Sequence, residues 1–185
     1  MRTFIAIDLD EAIKKSLAAW IDELRPRAKE VRWVSPAGMH LTLKFLGEIS
    51  PDFSPEVCRA VDRAVSRHPS FGLALKGTGV FPPGKKAPRV LWAGVEPNPA
   101  LDSLQLEIEE SLAEIGLEKE KREFHPHLTV GRVKSPRGIE ELLSELEKSR
   151  HRSFGRMEVI KVTFFESLLK PSGAEYKSLA EFRLT

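Results

Sequence analysis

The tripeptide His-Leu-Thr occurs twice in this chain, at His40-Leu41-Thr42 and at His127-Leu128-Thr129, 87 residues apart. A shift by that spacing also lays Phe4-Ile5-Ala6-Ile7-Asp8 on Leu91-Trp92-Ala93-Gly94-Val95, and Leu17 on Leu104. Both stretches are apolar and β-rich, and both lead into a segment of helical period. One β-α-β-α-β plan is therefore used twice. This predicts an α+β fold of two pseudo-symmetric lobes, each an antiparallel-rich sheet with helices on its outer face. A groove should lie between the lobes. The 185 residues suit a single bilobed domain, with the repeat running approximately over 1–87 and 88–185. Strands can swap between lobes, so the halves of the sequence need not coincide with them.

Punctuation marks four helices. One runs from about Glu11 to Arg25 with Asp10 as candidate N-cap, Ile13, Leu17, Trp20, Ile21 and Leu24 on one face, and Pro26 as its stop. A second opens at Ser54-Pro55, with Val57, Val61 and Val65 as its stripe. A third opens at Asn98-Pro99, and Gly116 suits its C-terminal cap. A fourth follows Ser135-Pro136, with Ile139, Leu142, Leu143 and Leu146 inward. Strands are predicted at Phe4 to Asp8, Arg32 to Val34, Leu41 to Leu46, Phe71 to Val80, Val90 to Val95, Leu128 to Val133, Val159 to Ser167 and Tyr176 to Arg183. Pro171-Ser172-Gly173 reads as the hairpin turn between the last two.

Alternate residues of a strand share a face. His40 and Thr42 therefore project together, as do His127 and Thr129, while Leu41, Leu43, Leu128 and Val130 face the opposite way. Two imidazoles and two hydroxyls around one cleft suit in-line displacement at phosphorus. One neutral histidine takes a proton from the attacking oxygen, and a protonated one gives a proton to the leaving oxygen. The ordinary imidazole pKa of about 6.5 lets both forms coexist near neutrality. Each such transfer is worth roughly 10²–10⁴-fold in rate. The threonine hydroxyls can donate to the non-bridging oxygens. Such chemistry requires no metal.

The two H-x-T-x motifs, with R-T-F-I-A-I-D-L at the start, R-W-V before the first motif, H-L-T-L-K-F-L-G, P-R-V-L-W-A-G-V-E and H-P-H-L-T-V-G-R-V, resemble the two-histidine phosphoesterase superfamily. Within it they resemble most the RNA 2′,3′-cyclic phosphodiesterases, also described as 2′-5′ RNA ligases. That resemblance implies opening of terminal 2′,3′-cyclic phosphates on RNA to 2′-phosphates, without cofactor or metal, and, as in some members, joining of RNA ends through a 2′-5′ linkage. It implies RNA ends, tRNA halves among them, as the partner. The opening run Phe4 to Asp8 is too short and meets an aspartate too soon for a signal peptide, and a cytoplasmic monomer is expected. Carried over, His40 donates to the departing 3′ oxygen, His127 activates water, and Thr42 and Thr129 hold the phosphate. The motif geometry alone does not distinguish the two histidines.

Arg132 is a further phosphate-binding candidate, because the family often carries a basic residue there. Strict alternation from His127 puts it on the wrong face unless the strand bulges near Gly131. Phe45 has the same parity problem relative to His40 and is expected in the core, as are Trp33 and Trp92 in the core or at its rim. His125-Pro126-His127 with His40 invites a three-histidine metal reading, but no carboxylate cluster lies nearby, and His125 is expected to be an entry residue. Lys85, Lys86 and Arg89, and the segment Lys148 to Arg152, are basic patches that could track an RNA backbone or merely complement a helix end. The single cysteine, Cys58, excludes an internal disulfide framework. With 29 Lys+Arg against 27 Asp+Glu the chain is no bulk polycation. No apolar run reaches the ~20 residues of a membrane span. Two other readings of the site remain: an enzyme acting on a small cyclic nucleotide, and a non-catalytic module that binds a nucleotide phosphate.

Overall fold

The computed structural model describes residues 1–84, 87–171 and 173–185. In chain order the elements are β1 (Arg2–Asp8), α1 (Glu11–Leu24), β2 (Val31–Trp33), β3 (His40–Glu48), α2 (Ser54–Val65), β4 (Phe71–Phe81), β5 (Val90–Val95), α3 (Pro99–Glu114), β6 (His127–Val133), α4 (Glu140–Lys148), β7 (Ser153–Val159), β8 (Lys161–Lys170) and β9 (Gly173–Arg183). They form two sheets, one in the order β3-β1-β8-β9 and the other β2-β6-β5-β4-β7. Every strand pair is antiparallel. The α+β architecture expected from the repeat is present.

The two halves of the sequence interlock. β2 and β4 precede the midpoint yet belong to the second sheet, and β8 and β9 return from the second half to complete the first. The chain changes sheets between Val159 and Lys161, because β7 pairs with β4 whereas β8 pairs with β1. Helices exchange as well. α1, which follows β1 of the first sheet, packs on β7 of the second, with Trp20 against Phe154 at 5.1 Å between ring centroids. α3, which follows β5 of the second sheet, packs on β3 of the first, where Gln105 Nε2 donates to the Leu43 carbonyl at 3.3 Å. The result is one contiguous apolar core shared by both sheets.

Register refines the repeat. Asp8 lies opposite His40, and Gly94 lies opposite His127. The motif strands are thus related by 87 residues and their partner strands by 86, so Phe4 corresponds to Val90 and not to Leu91.

Several element starts differ from expectation. Ser50, not Ser54, caps the second helical segment: its hydroxyl accepts from the Asp52 N–H at 3.3 Å, and a short turn at Pro51–Phe53 leads into α2. Ser135-Pro136 opens a turn completed by Gly138 at φ 66°, and α4 begins only at Glu140. Asn98 caps α3 as expected, accepting from Leu101 N–H at 3.2 Å. β7 escaped the sequence reading, since Ser153-Phe154-Gly155-Arg156-Met157-Glu158 mixes glycine and charge into a weak pattern. Ser172 of the expected hairpin turn lies outside the described residues. Among the described residues, no helix is long and apolar enough to cross a membrane.

Candidate active site

β3 is the edge strand of the first sheet, and β6 lies one strand in from the edge of the second. These two strands run against each other where the sheets meet. Each carries one His-Leu-Thr motif at its N-terminal end.

Both imidazoles are oriented in the same way. His40 Nδ1 lies 2.9 Å from the Gly38 carbonyl, and His127 Nδ1 lies 2.7 Å from the His125 carbonyl. A carbonyl only accepts, so each Nδ1 carries the hydrogen and each neutral ring presents an unprotonated Nε2. The carbonyl two residues upstream serves both rings, and this correspondence extends the repeat from sequence to site geometry.

The surroundings differ. His40 is half-buried and stacks on Phe4 at 4.5 Å between centroids, with Phe165 at 5.6 Å and Tyr176 edge-on at 4.8 Å. Burial pushes its pKa below the ordinary imidazole value. The Gly38 carbonyl and the nearby Asp8 carboxylate act in the opposite direction, and Lys14 adds to the lowering. Buried Lys14 bridges Asp8, at 2.9 Å, to the Ala37 carbonyl, at 3.4 Å, and so braces the turn that carries Gly38. His127 is exposed. Thr42 and Thr129 are both half-buried on the faces of their histidines, between the fully buried Leu41 and Leu43 and between Leu128 and Val130.

A β-bulge decides Arg132. On β6, Thr129 pairs with Trp92 and Gly131 with Leu91, which leaves Val130 as an extra residue. One extra residue inverts the alternation beyond it. Val130 and Gly131 are therefore both buried, and Arg132 emerges exposed on the face that carries His127 and Thr129. The same device sits at the equivalent place on β3. Thr42 pairs with Ala6 and Lys44 with Ile5, which leaves Leu43 extra. Phe45 is consequently not a core residue, as alternation had implied. It is 68% exposed on the His40 face, with its ring 6.0 Å from Phe4. Phe45 and Arg132 are thus counterparts in the repeat, one apolar and one cationic.

The two tryptophans divide. Trp33 lies opposite Gly131 and packs on the core. Trp92 lies opposite Thr129 on the face of that hydroxyl, with its indole across Gly79, where a Cβ would come 2.1 Å from Cζ2. No simple sequence signal puts Phe45 or Trp92 on the histidine-bearing faces, because each depends on a bulge or on a glycine in another strand.

Other flagged residues have bland surroundings. His125 supplies its carbonyl to His127, while its ring stays exposed beside Glu123 at 3.7 Å. Among the described residues, no three His, Cys, Asp or Glu side chains are grouped to hold a metal. The basic segment after α4 is matched by carboxylates: Lys148 with Glu145 at 2.7 Å, Arg150 with Glu147 at 3.4 Å and Arg152 with Glu23 at 2.7 Å. That pairing argues for a neutralised helix end over an RNA track. Lys85 and Lys86 lie outside the described residues. Burial pushes the Cys58 thiol up, which keeps it protonated.

The model of the 2′-5′ RNA ligase superfamily matches residues 13–170. The chain belongs to that superfamily. Among its relatives, an RNA 2′,3′-cyclic phosphodiesterase of Thermotoga maritima is 40% identical over 98% of this chain and 94% of its own length. Solved structures of the superfamily's fold superpose over nearly the whole chain. A protein of Thermus thermophilus gives a TM-score of 0.82 at 29% identity, covering 99% of this chain and 97% of that one. E. coli LigT complexed with 3′-AMP gives 0.80 at 27% identity, covering 100% and 98%.

Proposed function

We propose that this member of the superfamily hydrolyses the 2′,3′-cyclic phosphate at RNA ends to a 2′-phosphate, with His40 and His127 as the proton-transfer pair. The observation that carries the reading is the matched orientation of the two rings. Two imidazoles with the same i−2 carbonyl bond and a free Nε2 lie on two strands, β3 and β6, that touch each other. The full-length likeness to RNA 2′,3′-cyclic phosphodiesterases supplies the substrate class.

In the reaction, His127 Nε2 takes a proton from water as the water oxygen attacks phosphorus. The P–O3′ bond opposite the attacking oxygen breaks, and His40 gives its proton to the departing O3′. The product carries a 2′-phosphate and a free 3′-hydroxyl. Burial makes the His40 imidazolium the stronger acid. The negative charge of the bound phosphodiester opposes that effect and lets the ring hold its proton while substrate is present. Thr42 and Thr129 donate to the non-bridging oxygens, and Arg132, further along the same face, adds a positive charge that binds the substrate beyond them. With a 5′-hydroxyl in place of water as the attacking group, the same steps join RNA ends through a 2′-5′ bond.

The test is incubation of a 2′,3′-cyclic-phosphate oligonucleotide with enzyme in chelator, followed by identification of the product phosphate's position. The expected product is the 2′-phosphate, and His40→Ala and His127→Ala are each expected to lose roughly 10²-fold or more in kcat. A phosphodiester with a nitrophenolate leaving group needs no proton on departure. On it, His40→Ala should recover activity and His127→Ala should not. The opposite pattern reverses the two roles, and full activity of both variants on the oligonucleotide overturns the assignment.

A further inference from the structure

β2 is only three residues long and forms the edge of the second sheet. Val31 is buried in the core, and Trp33 packs on the core opposite Gly131. Backbone bonds at both ends hold the strand, from Val34 N–H to the Val130 carbonyl at 2.9 Å and from Lys134 N–H to the Glu30 carbonyl at 2.8 Å. The one residue it turns outward is Arg32, which lies directly opposite Arg132. Both are exposed, and the Val130 bulge puts them on the face that carries His127 and Thr129.

Like charges directly across a sheet are destabilising. Among the described residues, neither arginine has a carboxylate within 4.0 Å, whereas Lys148, Arg150 and Arg152 each have one. A strand held at both ends that offers two unmatched guanidinium groups on one exposed face is suited to an anion. Thr129 and Arg132 are separated by two steps of the ladder, from Trp92 to Val90, or roughly 7 Å along the strand. One nucleotide of an unstacked strand spans such a distance.

We propose that Arg32 and Arg132 together hold the internucleotide phosphate that precedes the cyclic end, making the protein a reader of oligonucleotide ends over free cyclic mononucleotides. The proposal rests on the reading above for the identity of the reacting phosphate. The new element is Arg32, which takes no part at the cyclic phosphate itself.

Three substrates separate the possibilities: a nucleoside 2′,3′-cyclic phosphate, a dinucleotide ending in one, and the same dinucleotide with a neutral methylphosphonate linkage. For wild type, the dinucleotide should exceed the other two in kcat/KM. Arg32→Gln should lower kcat/KM on the dinucleotide by about tenfold or more, leave the other two within twofold, and flatten the salt dependence by about 0.7 in log–log slope. Arg32→Lys should restore part of the loss. An equal loss on all three substrates, or none, overturns the proposal. Binding of the corresponding 2′-phosphate products, measured by calorimetry, covers the case in which no turnover is seen. Weaker binding of the dinucleotide product alone by Arg32→Gln then keeps the phosphate site while the catalytic reading fails. Unchanged binding removes the site.

Discussion

Replacing Lys44 by methionine tests how the two motifs are tied together. Lys44 follows the β3 bulge and points into the core, where its Nζ lies 2.5 Å from Glu109 Oε1 of α3 and 2.7 Å from the Glu118 carbonyl. The same Glu109 oxygen accepts the Glu120 N–H at 2.6 Å. The two side chains are 5% and 9% exposed. The cluster therefore fastens the strand of His40 to the segment that leads into His127. Removing one partner of a buried pair typically costs about 3–5 kcal/mol, because a charge is left behind without compensation. Glu109 would retain the Glu120 N–H, so the lower end applies, about 3 kcal/mol. At about 2–4 °C per kcal/mol for a chain of this size, Lys44→Met should lower Tm by roughly 6–12 °C. Lys44→Met/Glu109→Leu removes both charges and should recover most of that loss, leaving about 1–2 kcal/mol for the freed Glu118 and Glu120 backbone groups. Thermal melts of Lys44→Met, Glu109→Leu and the double variant close the cycle. A single variant that melts within about 2 °C of wild type, or a double variant that melts no higher than the singles, refutes the reasoning.

Two further outcomes follow from the groove. Because burial lowers the His40 pKa, the folded protein binds this proton less readily than the unfolded chain. The contribution to stability is therefore present above the ordinary value of about 6.5 and is lost as pH falls through the folded pKa. NMR titration should show a His40 midpoint below 6.5 in the free protein and a rise when a 2′-phosphate product binds, and urea midpoints should fall less on acidification in His40→Gln than in wild type. A free-protein midpoint at or above about 6.5 contradicts the burial argument. Gly79→Ala should displace the Trp92 indole, since the added methyl would lie 2.1 Å from Cζ2, and thereby disturb the wall beside Thr129. A loss of about tenfold or more in kcat/KM with a shifted indole NMR signal is expected, and Trp92→Phe in the same background should relieve part of it. An unchanged indole signal shows that the sheet absorbs the methyl elsewhere.

Side-chain periodicity made four helices and eight strands legible, because apolar residues at i, i+3 and i+4 or at i, i+2 must face a core whichever sheet supplies it. It carried no information about which sheet that would be. α1 buries Trp20 against Phe154, which comes 134 residues later, and no local pattern encodes that partner. The motifs were legible because His40 and Thr42, like His127 and Thr129, lie within one strand, two residues apart, before any irregularity intervenes. Phe45 was misread and Arg132 left open for a single reason: each lies three residues past its threonine, beyond an extra residue that periodicity cannot reveal. The repeat contained a usable signal. Leu43 and Val130 are counterparts, and each is followed by a second residue, Lys44 or Gly131, that alternation from the histidine would turn toward the groove. Lys44 can be turned inward only because α3 brings Glu109 to meet it, and Gly131 only because a Cβ there would come 2.8 Å from Val31. The bulge is thus specified by different long-range contacts in the two halves. The outward residue that follows it was free to diverge, to a ring that flanks His40 on one side and a cation that flanks His127 on the other. The asymmetry of the groove therefore rests on two residues whose environment is written elsewhere in the chain.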